Sequence, residues 1–441
     1  MKKVLVYFHE KYMTPSGGPS GYLYNLKSYL EKTRSGGAGA AGAQEEKCGA
    51  GAAGALSDMR GDIQLEFLND TDFHSDLSFK MKNAAHRVFS SDRSLSDVGR
   101  RVEQIFFESG QAGPFDLSRF DAVHFHSTAD MFTQKKNLEN YEGIVILTSH
   151  TPKAPHREWI EDMVHTSDLT NAADISEKEQ ALLARTREWD EYAFARADYL
   201  IFPCKEAEEP YLHTWEEYPK YRDEKKILYL PTGSRKCCPK KTREQVRAEL
   251  QIPEDRFVIS FVGRHNSVKG YDRLKKIFQG LHELPGTRDS SVRQSFSGVT
   301  VLCCGKEGAI AHPDSPDWIE VGWTDDAASY VQASDLFILP NRETYFDLAL
   351  LETLSIGKTA LLSRTGGNKV FEGKEEQGIY LFDTEEEAIT LIRNRMNEDP
   401  DVRKEKEAAQ RVLFEKEYSM RRFCERYMDI LEKICGTEKG K

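Results

Sequence analysis

The sequence predicts an α/β protein made of two doubly wound, parallel-sheet domains of Rossmann-like type facing each other across a cleft. Three observations carry that prediction. At 441 residues the chain is too long for one typical core and fits about two. Short apolar runs of strand length alternate with helix-patterned segments, which is how parallel sheets built from right-handed crossovers read in sequence. The alternation also comes in two series, separated by a charged, proline-containing connection within residues 232–245.

The first run, KVLVYF, leads into a loop with Gly17, Gly18 and Gly21 and then into YLYNLKSYL. There Tyr22, Leu23, Leu26, Tyr29 and Leu30 recur at helical spacing, so the segment reads strand, glycine loop, helix. Residues 35–56, SGGAGAAGAQEEKCGAGAAGAL, offer almost no bulky side chain to bury and read as a flexible linker; glycine interrupts the alternative, an alanine-rich helix, too often. IQLEFL, DAVHFH, GIVILTSH and ADYLIFP follow as strands, with good helix formers over residues 175–196, and KKILYLPTGS closes the series. The second series is RFVISFVGR, VTVLCC, WIEVG, DLFILP and TALLS. The boundaries that follow are 1–235 for the first domain, 236–420 for the second, and 421–441 for a terminal helix that packs back on the first.

Hydrophobic residues at 39% and charged residues at 30% make an ordinary globular mixture. A formal charge of −11 argues against bulk binding of nucleic acid. No apolar run approaches the ~20 residues that cross a bilayer, and MKKVLVYFHE turns polar too soon for a cleavable signal, so the expected location is cytoplasmic. The eight cysteines include the adjacent pairs Cys237/Cys238 and Cys303/Cys304 but no paired C-x-x-C modules, which favours structural thiols over zinc or redox centres.

Open parallel sheets bind ligands beyond the carboxyl ends of their strands, so the residues just after each apolar run are the candidates. Arg264 and Lys269 lie in the loop after RFVISFVG, where a forked guanidinium and a point-charge ammonium can hold two phosphate groups. An isolated R-x4-K is more often a pair of solvated surface cations. DLFILP ends at Pro340, NRETYF forms a loop, and Leu348, Leu350, Leu351 and Leu354 give the next helix a buried side up to Gly357. A helix starting at Asp347 aims free amides and a positive dipole end into the cleft, where phosphate is favoured. Glu352, more than one turn in, can then reach the vicinal hydroxyls of a ribose; alone, it would read as a solvated helix carboxylate.

Jointly, GGPSG before the first helix, TSH after a strand, LPTG at the junction, FVGR followed by VKG, and a carboxylate, loop and helix running to LLE and TGG resemble the family 4 retaining glycosyltransferases of GT-B architecture. The resemblance spans most of the chain and is strongest over residues 255–370. It implies a first domain that receives the acceptor and a second that binds the nucleotide sugar. It also implies that Arg264 and Lys269 bind the donor's diphosphate, that Glu352 takes the ribose hydroxyls, and that Gly17 and Gly18 let a loop approach the donor. His150 would lie near the transferred sugar, and Thr344, Phe346, Asp347 and Leu348 would surround the donor at the helix start. The resemblance further implies that no metal and no cofactor are required and that the nucleoside diphosphate sugar is a co-substrate, with UDP carrying glucose or N-acetylglucosamine as the expected donor.

Two departures stand out. Glu343 and Glu352 enclose one residue more than the family's usual spacing, so either a loop shift lets Glu343 face the sugar, which is the reading taken, or Thr344 replaces that carboxylate with a hydroxyl. Asp347 stands where a glycine is common; it makes a good N-cap but competes with phosphate for the same amides. The expected reaction is retaining hexosyl transfer to a hydroxyl of a carbohydrate, lipid-linked or protein acceptor. A nucleotide-sugar epimerase and a non-catalytic, sugar-binding subunit of a transferase complex are the alternatives. Asp70-Thr-Asp72 matches the D-x-D of metal-dependent transferases, a pattern common by chance. Lys80, Lys82, Arg87, Arg93, Arg100 and Arg101 form a basic stretch that reads first as a solvated helical face and second as peripheral contact with an anionic membrane.

Overall fold

The computed structural model describes residues 1–9, 18–34, 63–69, 72, 116–158, 177–282, 298–308 and 310–436. Gly17, Asp70, the segment 35–56 and the basic stretch from Lys80 to Arg101 lie outside the described residues.

Among the described residues, twelve short strands form two six-stranded sheets. The first comprises β1 (Lys2–Tyr7), β2 (Ile63–Leu68), β3 (Ala122–Phe125), β4 (Ile144–Leu147), β5 (Tyr199–Phe202) and β6 (Ile227–Tyr229), in the order β2-β1-β3-β4-β5-β6. The second comprises β7 (Phe257–Val262), β8 (Val299–Cys304), β9 (Trp318–Gly322), β10 (Leu336–Leu339), β11 (Ala360–Ser363) and β12 (Ile379–Phe382), in the order β12-β11-β10-β7-β8-β9. Every neighbouring pair is parallel. The central strands are largely apolar because both faces are covered: AVHF, IVIL, LFIL and ALLS are buried at every position, His124 and Ser363 included. β12 was not among the strands read from sequence; IYLF is four buried residues with no alternation to mark it.

Helices cover both faces. On one face of the first sheet lie α1 (Gly18–Arg34) and the terminal helix; on the other lie α2 (Thr128–Thr133), α3 (Glu177–Arg196) and α4 (Glu209–Thr214). The second sheet is flanked by α5 (Tyr271–His282) on one side and, on the other, by α6 (Ala327–Ala333), α7 (Leu348–Ile356) and α8 (Pro400–Leu413). After a π-helical turn at Phe414–Tyr418, α9 (Met420–Gly436) returns to the first core, burying Phe423, Tyr427, Leu431 and Ile434 beside Leu23 and Leu26 of α1. The two chain crossings between the halves touch: Ser234 N–H donates to Tyr418 O at 2.9 Å, and a Cβ on Gly233 would sit 2.4 Å from that of Phe423. The seven cysteines among the described residues are all free thiols.

Candidate active site

In the second sheet the strand order reverses between β7 and β10, whose following loops therefore open a crevice at the carboxyl edge. Those loops, 263–270 and 340–347, carry most of the predicted site. They are zipped together: Arg342 N–H donates to Val268 O at 3.0 Å, and Gly270, at φ 67°, leaves no room for a side chain because its Cβ would lie 1.8 Å from Pro340 O. Lys269 is pinned by its backbone N–H on Asn266 Oδ1 at 3.0 Å and turns its ammonium onto the carboxylate of Asp347. Arg264 is exposed at the start of the same loop.

Asp347 caps α7, accepting from Ala349 N at 3.1 Å, and Gly357 ends the helix in the left-handed region at φ 75°. Phe346 and Leu348 flank that cap, both partly buried. Glu352, five residues into the nine-residue helix, is partly covered; burial first, and Asp347 second, push its carboxyl up to about 7. Its charge reaches Cys237, whose N–H donates to Ser355 Oγ at 2.9 Å. Lys269, Asp347 and Glu352 are thus brought together at one edge.

Across the gap, the first sheet reverses between β1 and β3, and its edge carries histidines. His150 follows β4 with φ 60°, a conformation a bulky residue rarely adopts, and its Nε2 lies 2.8 Å from His126 Nδ1. The ring of His124 lies 4.0 Å from that of His126 and is bonded to Tyr427 Oη at 2.9 Å and Thr148 Oγ1 at 2.8 Å. Burial pushes His124 and His150 down to about 3 and holds His126 well below the ordinary imidazole range, so all three are neutral imidazoles at ordinary pH. Gly18, at φ 70°, opens α1 with open space where a Cβ would be, and Tyr22 on that helix sets its ring edge-on to His150 at 4.7 Å.

The loop after β10 joins the two edges. Tyr345 enters the core of the first half, its hydroxyl donating to Ile201 O at 3.1 Å and its ring 6.2 Å from His150. Phe346 turns back toward Phe371 and Tyr418. Thr344 is 3% exposed, and its carbonyl accepts Gly367 N–H at 3.1 Å. Cβ atoms on Gly366 and Gly367 would stand 2.1 Å from the carbonyls of Thr344 and Tyr345, so the glycine turn supports this loop by backbone contact. Glu343 is half-buried; burial raises its carboxyl, against the pull of Lys153, His213 and Lys369. Lys369 bridges the halves through Glu209 on α4, at 2.8 and 2.7 Å. Asp72 is spent on a turn, accepting from Asn69 N at 2.8 Å.

Sequence reasoning missed Tyr345, His126 and Lys153. HFH at the end of β3 was a legible signal for His126, which sits just past a strand end like His150. Nothing local marked Tyr345, whose partners come from another sheet.

Residues 242–412, the span of the second sheet, match the family model described as glycosyl transferases group 1. A D-inositol 3-phosphate glycosyltransferase from Saccharomonospora viridis is 27% identical over 220 residues, 45% of this chain and 48% of that protein. The match thus spans about half the length of that curated relative. Among solved structures, sucrose-phosphate synthase from Thermosynechococcus elongatus aligns over 99% of this chain and 100% of its own (TM-score 0.57, 12% identity). HepE of Anabaena, in complex with UDP and glucose, aligns over 98% and 100% (TM-score 0.56, 12% identity). A glycosyltransferase from Rickettsia africae aligns over 99% of each chain (TM-score 0.55, 14% identity). At these identities the likeness is one of fold, and the fold is GT-B.

Proposed function

We propose that this protein is a glycosyltransferase that moves a hexosyl group from a nucleoside diphosphate sugar to an acceptor hydroxyl with retention of configuration. One observation supports the reading: the Lys269 ammonium, the start of α7 and the Glu352 carboxylate meet at the switch point of the second sheet, and the first sheet's own switch-point edge carries the neutral His150. Breakage of the bond from the anomeric carbon to the phosphate oxygen builds negative charge on the leaving group and positive charge on the ring. Lys269, Arg264 and the start of α7 stabilise the first. The acceptor oxygen attacks from the same face, and its proton passes to the departing phosphate oxygen. His150, whose Nε2 is held by His126, positions the sugar and stays unprotonated. Glu343, whose carboxyl feels the charges of Lys153, His213 and Lys369, is taken as the carboxylate that faces the sugar.

UDP with glucose or N-acetylglucosamine is the proposed donor, supported by the complex of HepE with UDP and glucose. The acceptor is a carbohydrate, lipid-linked or protein hydroxyl, and the reaction is taken to run without metal. Purified protein screened against a panel of nucleotide sugars, with thermal shift and nucleotide release read together, tests this. One donor should stabilise the fold and release nucleotide in an acceptor-dependent way. Conversion of the donor sugar without acceptor would replace the reading with epimerisation, and undiminished activity in chelator is expected throughout.

A further inference from the structure

The diphosphate crevice of this structure already contains an anion, supplied by the chain itself. The Asp347 side chain is 7% exposed and engaged on three sides: by the Lys269 ammonium, by Asn341 Nδ2 at 3.3 Å and by the Ala349 amide at 3.1 Å. Asn341 is 1% exposed, and its Oδ1 has no hydrogen-bond partner, so a buried polar side chain is committed to this spot on one side and unsatisfied on the other. An ammonium and a second-position helix amide are two of the contacts a bound phosphate would make there. A carboxylate and a phosphate cannot share them, because like charges at that separation repel.

Resting on the donor reading above, we propose that Asp347 is an internal occupant of the diphosphate site. Donor binding then proceeds by exchange, with Lys269 passing from the carboxylate to the phosphate, and Asp347 sets the donor affinity of this enzyme. Its charge keeps the loops after β7 and β10 joined and Lys269 aimed while the site is empty. The same charge opposes every ligand that needs Lys269. Glu352, next along the helix, lies within reach of the Asp347 charge and holds its proton more tightly for it.

The test is calorimetric titration of the full chain with pyrophosphate, UDP and uridine at fixed ionic strength. The proteins are wild type, Asp347→Asn, Lys269→Ala and the double variant. Asparagine caps a helix about as well as aspartate, so Asp347→Asn should keep the fold, as a thermal melt will show. Pyrophosphate and UDP should bind about tenfold more tightly to Asp347→Asn, while uridine binds all four proteins alike. The gain should vanish in the double variant, because it acts through Lys269. Equal or weaker pyrophosphate binding by Asp347→Asn, with Lys269→Ala still abolishing it, would overturn the exchange and leave the donor reading standing. Failure of pyrophosphate and UDP to bind any of the four would instead remove the phosphate site, and the exchange with it.

Discussion

Lys269 is held at its backbone by Asn266 and at its ammonium by Asp347, 78 positions further along the chain. That double attachment makes it an aimed charge. Lys269→Ala should lower the rate of transfer about 10²–10³-fold, the usual cost of one stabilising donor, and should also lower the melting temperature, because it strips the 7%-exposed Asp347 carboxylate of its ion partner. Initial rates of nucleotide release, paired with a thermal melt, measure both. Glu352 carries a different signature. Its carboxyl is raised from 4.5 to about 7 in the folded chain, so the folded state holds this proton more tightly than the unfolded state does. The associated stability is complete below about 4.5 and is lost as pH rises through 7, a swing of up to about 3 kcal/mol. Glu352→Gln should therefore melt higher than wild type at pH 8 and close to it at pH 5. The sequence offered both side chains as strand-end and helix candidates. It held no sign that Asp347 would close on Lys269, because that pairing needs β10 beside β7.

At the scale of elements, glycines decide how near the site loops come. Gly270 combines a left-handed φ of 67° with a Cβ position 1.8 Å from Pro340 O. Gly270→Ala must strain the backbone or part the loops, at about 1–3 kcal/mol, and should weaken donor binding along with stability. Chemical denaturation and a UDP titration on the same variant would show the two falling together. The V-K-G of the sequence was read as part of a phosphate motif; its glycine also serves the approach of a second loop. TGG likewise entered as part of the family resemblance, and the carbonyls of Thr344 and Tyr345 that require its glycines became visible only in three dimensions. Of the twelve strands, eleven stood out as apolar runs. β12 did not, since four buried residues beside Gly378 look like the end of a loop.

At the scale of the molecule, Tyr345 and α9 tie the halves together. Tyr345→Ala should cost about 3–5 kcal/mol, as for other buried aromatic truncations, and Tyr345→Phe about 1 kcal/mol for the lost hydrogen bond to Ile201; urea denaturation distinguishes them. The histidine row is tied to α9 through the bond between Tyr427 and His124. Folded His124 and His150 titrate near 3 against an ordinary 6.5, so the unfolded chain takes up protons first. Stability is full above 6.5 and falls as pH drops toward 3, by about 1.4 kcal/mol per unit for each histidine. His124→Gln should flatten that limb between pH 6 and 5 in a denaturation series. Position in the fold, more than the identity of the residues, makes these rings neutral.

By itself the sequence determined the two parallel sheets, their strand ends and the residue types placed there, because burial on both faces writes itself as apolar runs and strand ends as polar punctuation. Tertiary structure decided which ends meet. Strand order put β10 against β7 and so joined Lys269 to Asp347, and packing between the halves sent Tyr345 into the first core and turned Phe346 back toward the second. Contacts between residues far apart in the chain depend on the order of strands in a sheet, and no local pattern of side chains records that order.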